Sequence, residues 1–283
     1  MCLSADQIIF YEQNGFLLLQ SVFTLRESKA LVDEMKQVIK KDTPERILEK
    51  SGAVRSFFAP ESFSPVFKKV VNSIRLIKPT EQLLGNKVYI HQTKINSKHA
   101  LIGDWWEWHQ DYIYWKKDDG MPDCNVLTAM IFLNEVNEYN GPMLLIPGSH
   151  KLGVIDENKI NTQSEQPDWF EDYQKSTQYM SSLTSNLKYT LSQSIVRSLA
   201  EKNGIYSAKG PAGSVLFFHG NIFHSSSNNM SPWDRHTFLV TYNSINNTLT
   251  YKESLRPNFL ANRDFSPIEA TEMNILVDES QIT

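Results

Sequence analysis

The stretch Gly213-Ser-Val-Leu-Phe-Phe-His219-Gly-Asn-Ile-Phe-His224-Ser-Ser-Ser-Asn-Asn-Met-Ser-Pro-Trp-Asp-Arg235 reads as an apolar strand, a loop, and the opening of another strand. Arg235 follows His224 by eleven positions. That spacing suits two adjacent antiparallel strands joined by an Asn/Ser/Pro turn, with imidazole and guanidinium on one concave face. Upstream, Val88, Ile90, Gln92 and Lys94 alternate with Tyr89, His91, Thr93 and Ile95. A period of two sends alternate side chains to opposite faces. Further strand-like runs occupy residues 126–133, 143–146, 214–218 and 237–242, with Gly, Pro, Asn and Asp turns between them. Short strands after a helical start predict an α+β chain with a barrel or sandwich core.

The N-terminal third reads as helical. Ser4 caps a helix that ends at Asn14-Gly15, and Thr24-Leu-Arg-Glu27 has capping-box spacing ahead of Leu31, Met35, Val38 and Ile39. A third helix begins at Ser64-Pro65, carries Phe67, Val70, Val71 and Ile74, and is expected to end at Pro79. Residues 151–203 break the strand rhythm with Ser, Thr, Gln and Asn, and read as an inserted helical or loop segment, a candidate lid over a pocket mouth. The expected organisation is one domain over residues 1–283. Residues 1–86 give mainly helical support, 87–150 and 204–247 the β core, and 151–203 the insertion.

Composition bounds the function. With 28 Lys+Arg against 32 Asp+Glu the net charge is −4, which excludes a dedicated nucleic-acid binder. A hydrophobic fraction of 41% supports a buried core. The two cysteines, Cys2 and Cys124, are too few for a disulfide framework. No signal-peptide core and no apolar run of about 18 residues is present, so a cytoplasmic protein without a membrane partner is expected. The oligomeric state is not legible. Only seven histidines occur, and two of them stand in surroundings that suit a metal ion.

Those two lie in Trp108-His109-Gln110-Asp111 and in the opening stretch. In an extended strand His109 and Asp111 project to one face. A histidine from a distant strand completes a two-His-one-carboxylate triad, the donor set of non-haem Fe(II) sites that leave positions open for substrate and oxygen. His-x-Asp alone arises often by chance. His224 lifts it, while His219, five residues earlier, has the opposite strand parity and reads as structural. His150 shapes a turn, and His91, His99 and His236 have no partner that the sequence names. Arginine's planar fork suits a carboxylate held bidentately, as the far end of a dicarboxylic co-substrate would be.

Together these blocks resemble the phytanoyl-CoA dioxygenase superfamily of Fe(II)/2-oxoglutarate-dependent oxygenases, and within it ectoine hydroxylase and related small-metabolite hydroxylases. The carrying residues are 91–96, Trp108-His109-Gln110-Asp111-Tyr112, Trp115, Asp119-Gly-Met-Pro122, Asn140-Gly-Pro-Met143, 146–151, His224-Ser225, Asn228, Arg235 and Tyr242-Asn243. The resemblance implies a double-stranded β-helix of the jelly-roll or cupin-like type. It implies His109, Asp111 and His224 as iron ligands, Arg235 on the 2-oxoglutarate C5 carboxylate with Asn96 and Ser226 nearby, and Gln92 and Trp115 toward the primary substrate. It implies Fe(II), 2-oxoglutarate and O2, with succinate and CO2 as co-products. Related halogenases replace the carboxylate with a small residue, so Asp111 argues for hydroxylation. Lys94, on the Gln92 face, is a further candidate for a substrate carboxylate, with Arg256 and Arg263 behind it.

For the substrate, Thr237 stands where the ectoine enzyme has asparagine, and Phe238 lies one position before its phenylalanine, leaving Leu239 there. These departures count against ectoine, and the polar Gln92 and Lys94 face beside an aromatic and aliphatic wall favours a free, leucine-like aliphatic amino acid or similar small zwitterion. Ectoine is the alternative, followed by an acyl-CoA and by a non-catalytic β-barrel binding protein.

Overall fold

The structure is a computed structural model that describes residues 2–49, 51–156, 187–250 and 256–272. Two antiparallel sheets form a jelly-roll. The larger contains β1 (Phe16–Leu19), β2 (Arg46–Leu48), β3 (Val54–Phe58), β4 (Val88–Lys98), β6 (Val126–Phe132), β9 (Val215–His219) and β11 (Arg235–Ser244), in the order β1-β9-β6-β11-β4-β3-β2. The smaller has the order β5-β10-β7-β8, from Trp106–His109, His224–Ser226, Met143–Leu145 and Tyr206–Ala208.

Strand parity divides the core. Phe238, Val240 and Tyr242 of β11 face outward with Ala129, Ile131, Val215 and Phe217. There they pack on Leu31, Met35 and Val38 of α2 (Leu25–Val38) and on Phe67, Val70 and Val71 of α3 (Pro65–Val71). The intervening Leu239, Met130, Phe132, Leu216 and Phe218 turn inward, toward the smaller sheet. This two-sided burial explains why β6 and β11 are buried at every position.

Both predicted N-terminal caps are present. Ser4 opens α1 (Ala5–Asn14), which Gly15 closes at φ 80°, and Thr24 and Glu27 form the reciprocal capping box of α2. Glu27 does double duty, receiving Arg75 NH2 at 2.6 Å. Three expectations need correction. The helical third also holds β1, β2 and β3, strands of three to five residues at the sheet's two edges, too short for a periodic signal. The helix from Pro65 breaks at Asn72, and Ser73 caps a new one, α4 (Ile74–Leu84), with Pro79 inside it rather than at its end. Strict alternation also fails in β4, where the register with β11 passes from Thr241↔Gln92 to Tyr242↔Ile90 and leaves His91 as a bulged residue. Residues 157–186, most of the expected lid, lie outside the described residues. Of the same segment, α6 (Gln193–Asn203) is seen, with no buried residue. No helix among the described residues is long and apolar enough to cross a membrane.

Gly213 ties the larger sheet to the turn before α2. Its φ is +85°, its carbonyl accepts Phe23 N–H at 2.9 Å, and a Cβ there would stand 2.0 Å from the Phe23 carbonyl oxygen. Gly213→Ala is therefore expected to cost more than ~1 kcal/mol, read as a lower Tm. An unchanged Tm would show that the two segments separate freely.

Candidate metal centre

β5 and β10 are hydrogen-bonded neighbours whose register sets His109 directly opposite His224. The two imidazole centroids lie 4.1 Å apart. Each ring is anchored the same way. His109 Nδ1 lies 2.6 Å from the Glu107 carbonyl oxygen and His224 Nδ1 3.0 Å from that of Ile222, in both cases two residues upstream. A proton held on Nδ1 by those carbonyls leaves both Nε2 lone pairs aimed at a common point. Asp111 Oδ1 is 3.5 Å from His109 Nε2 and 3.8 Å from His224 Nε2. The three donor atoms fall within 4.8 Å of one another.

The route by which Asp111 arrives differs from the sequence reading. β5 ends at His109, and Asp111 is already helical, at φ −70° and ψ −39°, where α5 (Tyr112–Asp118) begins. A strand-to-helix turn, rather than strand parity, brings the carboxylate beside the imidazoles. His224 and Arg235 are not on adjacent strands either. His224 belongs to the smaller sheet and Arg235 opens β11 of the larger, so the turn between them crosses from one sheet to the other.

The protonation states suit a metal. Burial pushes the Asp111 carboxyl up, but His224, His109 and Lys94 around it prevail and hold it well below the usual carboxylate range. Burial, with His109 beside it, lowers His224 to about 4. An ionised carboxylate and a neutral imidazole are what coordination requires.

Ten of the eleven residues singled out from the sequence line one cavity between the sheets: the triad, Gln92, Lys94, Asn96, Trp115, Ser226, Arg235 and Arg256. Arg235 donates to the Gly141 carbonyl at 2.7 Å and to Thr237 Oγ1 at 3.3 Å. Its Nε, like Ser226 Oγ, is buried without a hydrogen-bond partner among the described residues. Two orphaned polar groups in one cavity call for a polar ligand. Burial, with Arg55 near, lowers Arg235 to about 10. Asn96 accepts from Ser56 Oγ at 2.7 Å, and Gln92 Nε2 donates to the Leu260 carbonyl at 2.7 Å. The Lys94 ammonium stands 5.9 Å from the Trp106 ring centroid, and burial lowers its pKa.

His219 stays out of the cluster, its Nδ1 accepting the Asn221 N–H at 3.0 Å. The histidines left unassigned acquire partners. His91 meets Asp119 at 3.4 Å, while His99 and His236 flank Asp234 at 3.7 and 3.6 Å. Of the two arginines, Arg256 lines the cavity, whereas Arg263 bonds Asn258 Oδ1 and the Arg256 carbonyl instead. One residue was missed. Lys98 is 2% exposed, lines the same cavity, and donates to the carbonyls of Asp104 and Ser227. Its signal was present, because steps of two from Gln92 through Lys94 and Asn96 end on it.

Comparison with known proteins agrees with this geometry. The family profile described as Phytanoyl-CoA dioxygenase (PhyH) matches residues 11–237. The ectoine dioxygenase of Bordetella bronchiseptica is 37% identical over 270 residues, covering 92% of this chain and 83% of the relative. The L-proline trans-4-hydroxylase of Streptomyces griseoviridis is 33% identical, covering 93% of this chain and 94% of its own. The crystal structure of EctD from S. alaskensis with 2-oxoglutarate and 5-hydroxyectoine superposes with a TM-score of 0.80 at 26% identity, covering 97% of this chain and 89% of that one. The same protein is known with bound Fe.

The donor geometry predicts one tight divalent-metal site. Anaerobic calorimetric titration with Fe(II) or Co(II) is expected to show a single site that weakens by more than ~100-fold in His224→Ala, beyond the range seen when only an outer partner is lost. Equal binding by that variant would place the metal elsewhere.

Proposed function

The chain belongs to the phytanoyl-CoA dioxygenase family, and on that premise we propose that it is an Fe(II)- and 2-oxoglutarate-dependent hydroxylase of a small cyclic zwitterion, ectoine first. One observation carries the reading: the His109/Asp111/His224 cluster shares a single buried cavity with the orphaned Arg235 Nε and Ser226 Oγ. His109, Asp111 and His224 hold the iron. Fe(II), when bound, supplies the chemistry that couples oxidative decarboxylation of 2-oxoglutarate to transfer of one oxygen atom of O2 into a C–H bond, leaving succinate and CO2. Arg235 and Lys98 bind the distal carboxylate of 2-oxoglutarate, with Asn96 and Ser226 completing that end. Gln92, Trp115 and Arg256 form the other end, where Arg256 receives the substrate carboxylate. Lys94, between the two, adds positive charge beside Asp111.

Ectoine is favoured over the leucine-like substrate that the wall residues suggested. The ectoine and proline enzymes among its relatives act on ring compounds. The cavity supports the same choice. Among the described residues that line it, Asp111 is the sole carboxylate, so none remains for a substrate ammonium. Gln92 spends its Nε2 on the Leu260 carbonyl, which leaves Oε1 as a neutral acceptor. Phe58, Trp106, Tyr114 and Trp115 supply aromatic walls. A carbonyl oxygen and π faces suit the delocalised amidinium of ectoine, which is weakly hydrated, better than a compact ammonium.

In a succinate-release assay, ectoine is expected to turn over faster than L-proline, and both faster than L-leucine, with a product heavier by one oxygen atom. Leucine turning over fastest would overturn the cyclic-substrate reading. The co-substrate end makes a pH prediction. Burial, with Arg235 and Arg55 near, pulls Lys98 down to about 6. A bound carboxylate stabilises the ammonium and raises that pKa, so binding takes up a proton above pH 6. Affinity for 2-oxoglutarate is therefore expected to be highest near pH 6 and to fall by up to ~10-fold per pH unit above it. Lys98→Gln is expected to flatten the profile, and an unaltered slope in that variant would remove Lys98 from the co-substrate site.

A further inference from the structure

Behind the substrate end lies a cluster that the reaction chemistry does not use. His91 and Asp119 are fully buried and Arg256 is 5% exposed. One oxygen, Asp119 Oδ2, stands 3.4 Å from His91 Nε2 and 3.3 Å from Arg256 NH1, while Asp118 Oδ2 is 4.0 Å from the same nitrogen. On its other side the His91 ring meets the Trp115 ring edge to face, with centroids 5.4 Å apart. A single carboxylate thus touches Arg256 directly and Trp115 through His91. Both Arg256 and Trp115 line the cavity.

Two local irregularities build this contact. The bulge at His91 lets consecutive residues of β4 serve the same side, His91 on Asp119 and Gln92 in the cavity. After α5 the Asp119 N–H bonds back to the Trp115 carbonyl at 3.2 Å, which fixes the backbone from which the carboxylate reaches His91 and Arg256. Burying an ion pair adds little net stability over apolar packing, so its presence asks for another role. Burial lowers the His91 pKa against the pull of Asp119, so the imidazole is neutral and Arg256 is the cation that balances the carboxylate.

We propose that Asp119 is a positioning residue for substrate: its carboxylate sets the Arg256 guanidinium and, through His91, the Trp115 ring as one unit facing the carboxylate of the primary substrate. This rests on the reading of Arg256 as the group that receives that carboxylate.

The test is a double-mutant cycle on the protein loaded with metal and 2-oxoglutarate, held anaerobically. The dissociation constants of ectoine and of its carboxamide are measured, with that of 2-oxoglutarate as reference. The wild type is expected to prefer the carboxylate by more than ~10-fold, and Arg256→Gln and Asp119→Asn each to cut that preference to within ~3-fold. The double variant is expected to lose no more than the worse single one, with 2-oxoglutarate binding within ~2-fold throughout. A preference retained in Asp119→Asn, losses that multiply in the double variant, or a parallel loss of 2-oxoglutarate binding would overturn the positioning role while leaving the substrate reading intact. A wild type indifferent to carboxylate against carboxamide would overturn that reading and the inference with it. If Asp119→Asn does not fold, the double variant decides, because removing both partners costs less than stranding one buried charge. A folded double variant supports the coupling, and an unfolded one reduces the cluster to a structural part.

Discussion

The centre depends on the pairing of β5 with β10. It places His109 opposite His224, and each imidazole is turned by the carbonyl two residues before it. A shift of one residue in that pairing would send one ring to the far face of the sheet. Everything else is arranged around this fixed pair. The chain leaves β5 by a tight turn that returns Asp111 to the imidazoles, and α5 then carries Tyr114 and Trp115 into the cavity wall. The larger sheet contributes the opposite wall through the inward residues of β4 and β11, so the two imidazoles and the Arg235/Lys98 end of the cavity come from different sheets.

The two ends of the cavity are electrostatically unlike. At one, Arg235 and Lys98 are buried beside each other, and burial and mutual repulsion draw Lys98 down to about 6. Their hydrogen bonds go to neutral oxygens, the carbonyls of Gly141, Asp104 and Ser227 and the hydroxyl of Thr237. At the other end Arg256 already has the carboxylates of Asp118 and Asp119. A buried guanidinium beside a lysine that takes up a proton when an anion binds favours a dianion, whereas a guanidinium already facing two carboxylates is fixed in orientation as well as charge. This asymmetry fits a dianionic co-substrate at the first end and, in the proposed reading, a single substrate carboxylate meeting an oriented guanidinium at the second.

How far the sequence reveals this varies with the physics of each element. The triad is legible because its members are rare residue types in short motifs, and because a metal site constrains chemistry more than conformation. Lys98 was within reach by the same period of two that put Lys94 on the Gln92 face, Gln92 and Asn96 having come from the resemblance. His91 was not, since a β-bulge shifts parity without any composition signal, and its partner lies 28 residues on, past the end of α5. The short strands β1, β2 and β3 are held by pairing to longer neighbours rather than by their own pattern. The break between α3 and α4 did carry a signal, Ser73 as a cap, which the run of apolar residues through Ile74 concealed. Pro79 misleads because a proline bars only one hydrogen bond, and the burial of its neighbours Leu76, Ile77 and Thr80 holds the helix through it.

The departures in β11 show why a changed wall need not mean a changed substrate class. Parity places Thr237 and Leu239 inward and Phe238 outward, where Phe238 packs edge-on to Phe67 at 4.9 Å. Thr237 accepts from Arg235 and so helps to hold that guanidinium. Leu239 lines the cavity where a phenylalanine was expected, an exchange of one apolar surface for a smaller one. Neither change alters a charge. In the proposed reading the groups that face the substrate are instead Gln92, with its amide turned to Leu260, and Arg256, which stands 3.3 Å from Asp119. Both belong to contacts between β4, the end of α5 and residues 256–262, where Asn262 is fastened to the Ile90 and His91 carbonyls. In the proposed reading, substrate is met by a segment outside both sheets, laid against a bulge in one of them, while the two imidazoles of the candidate metal centre are placed by strand pairing that the bulge leaves untouched.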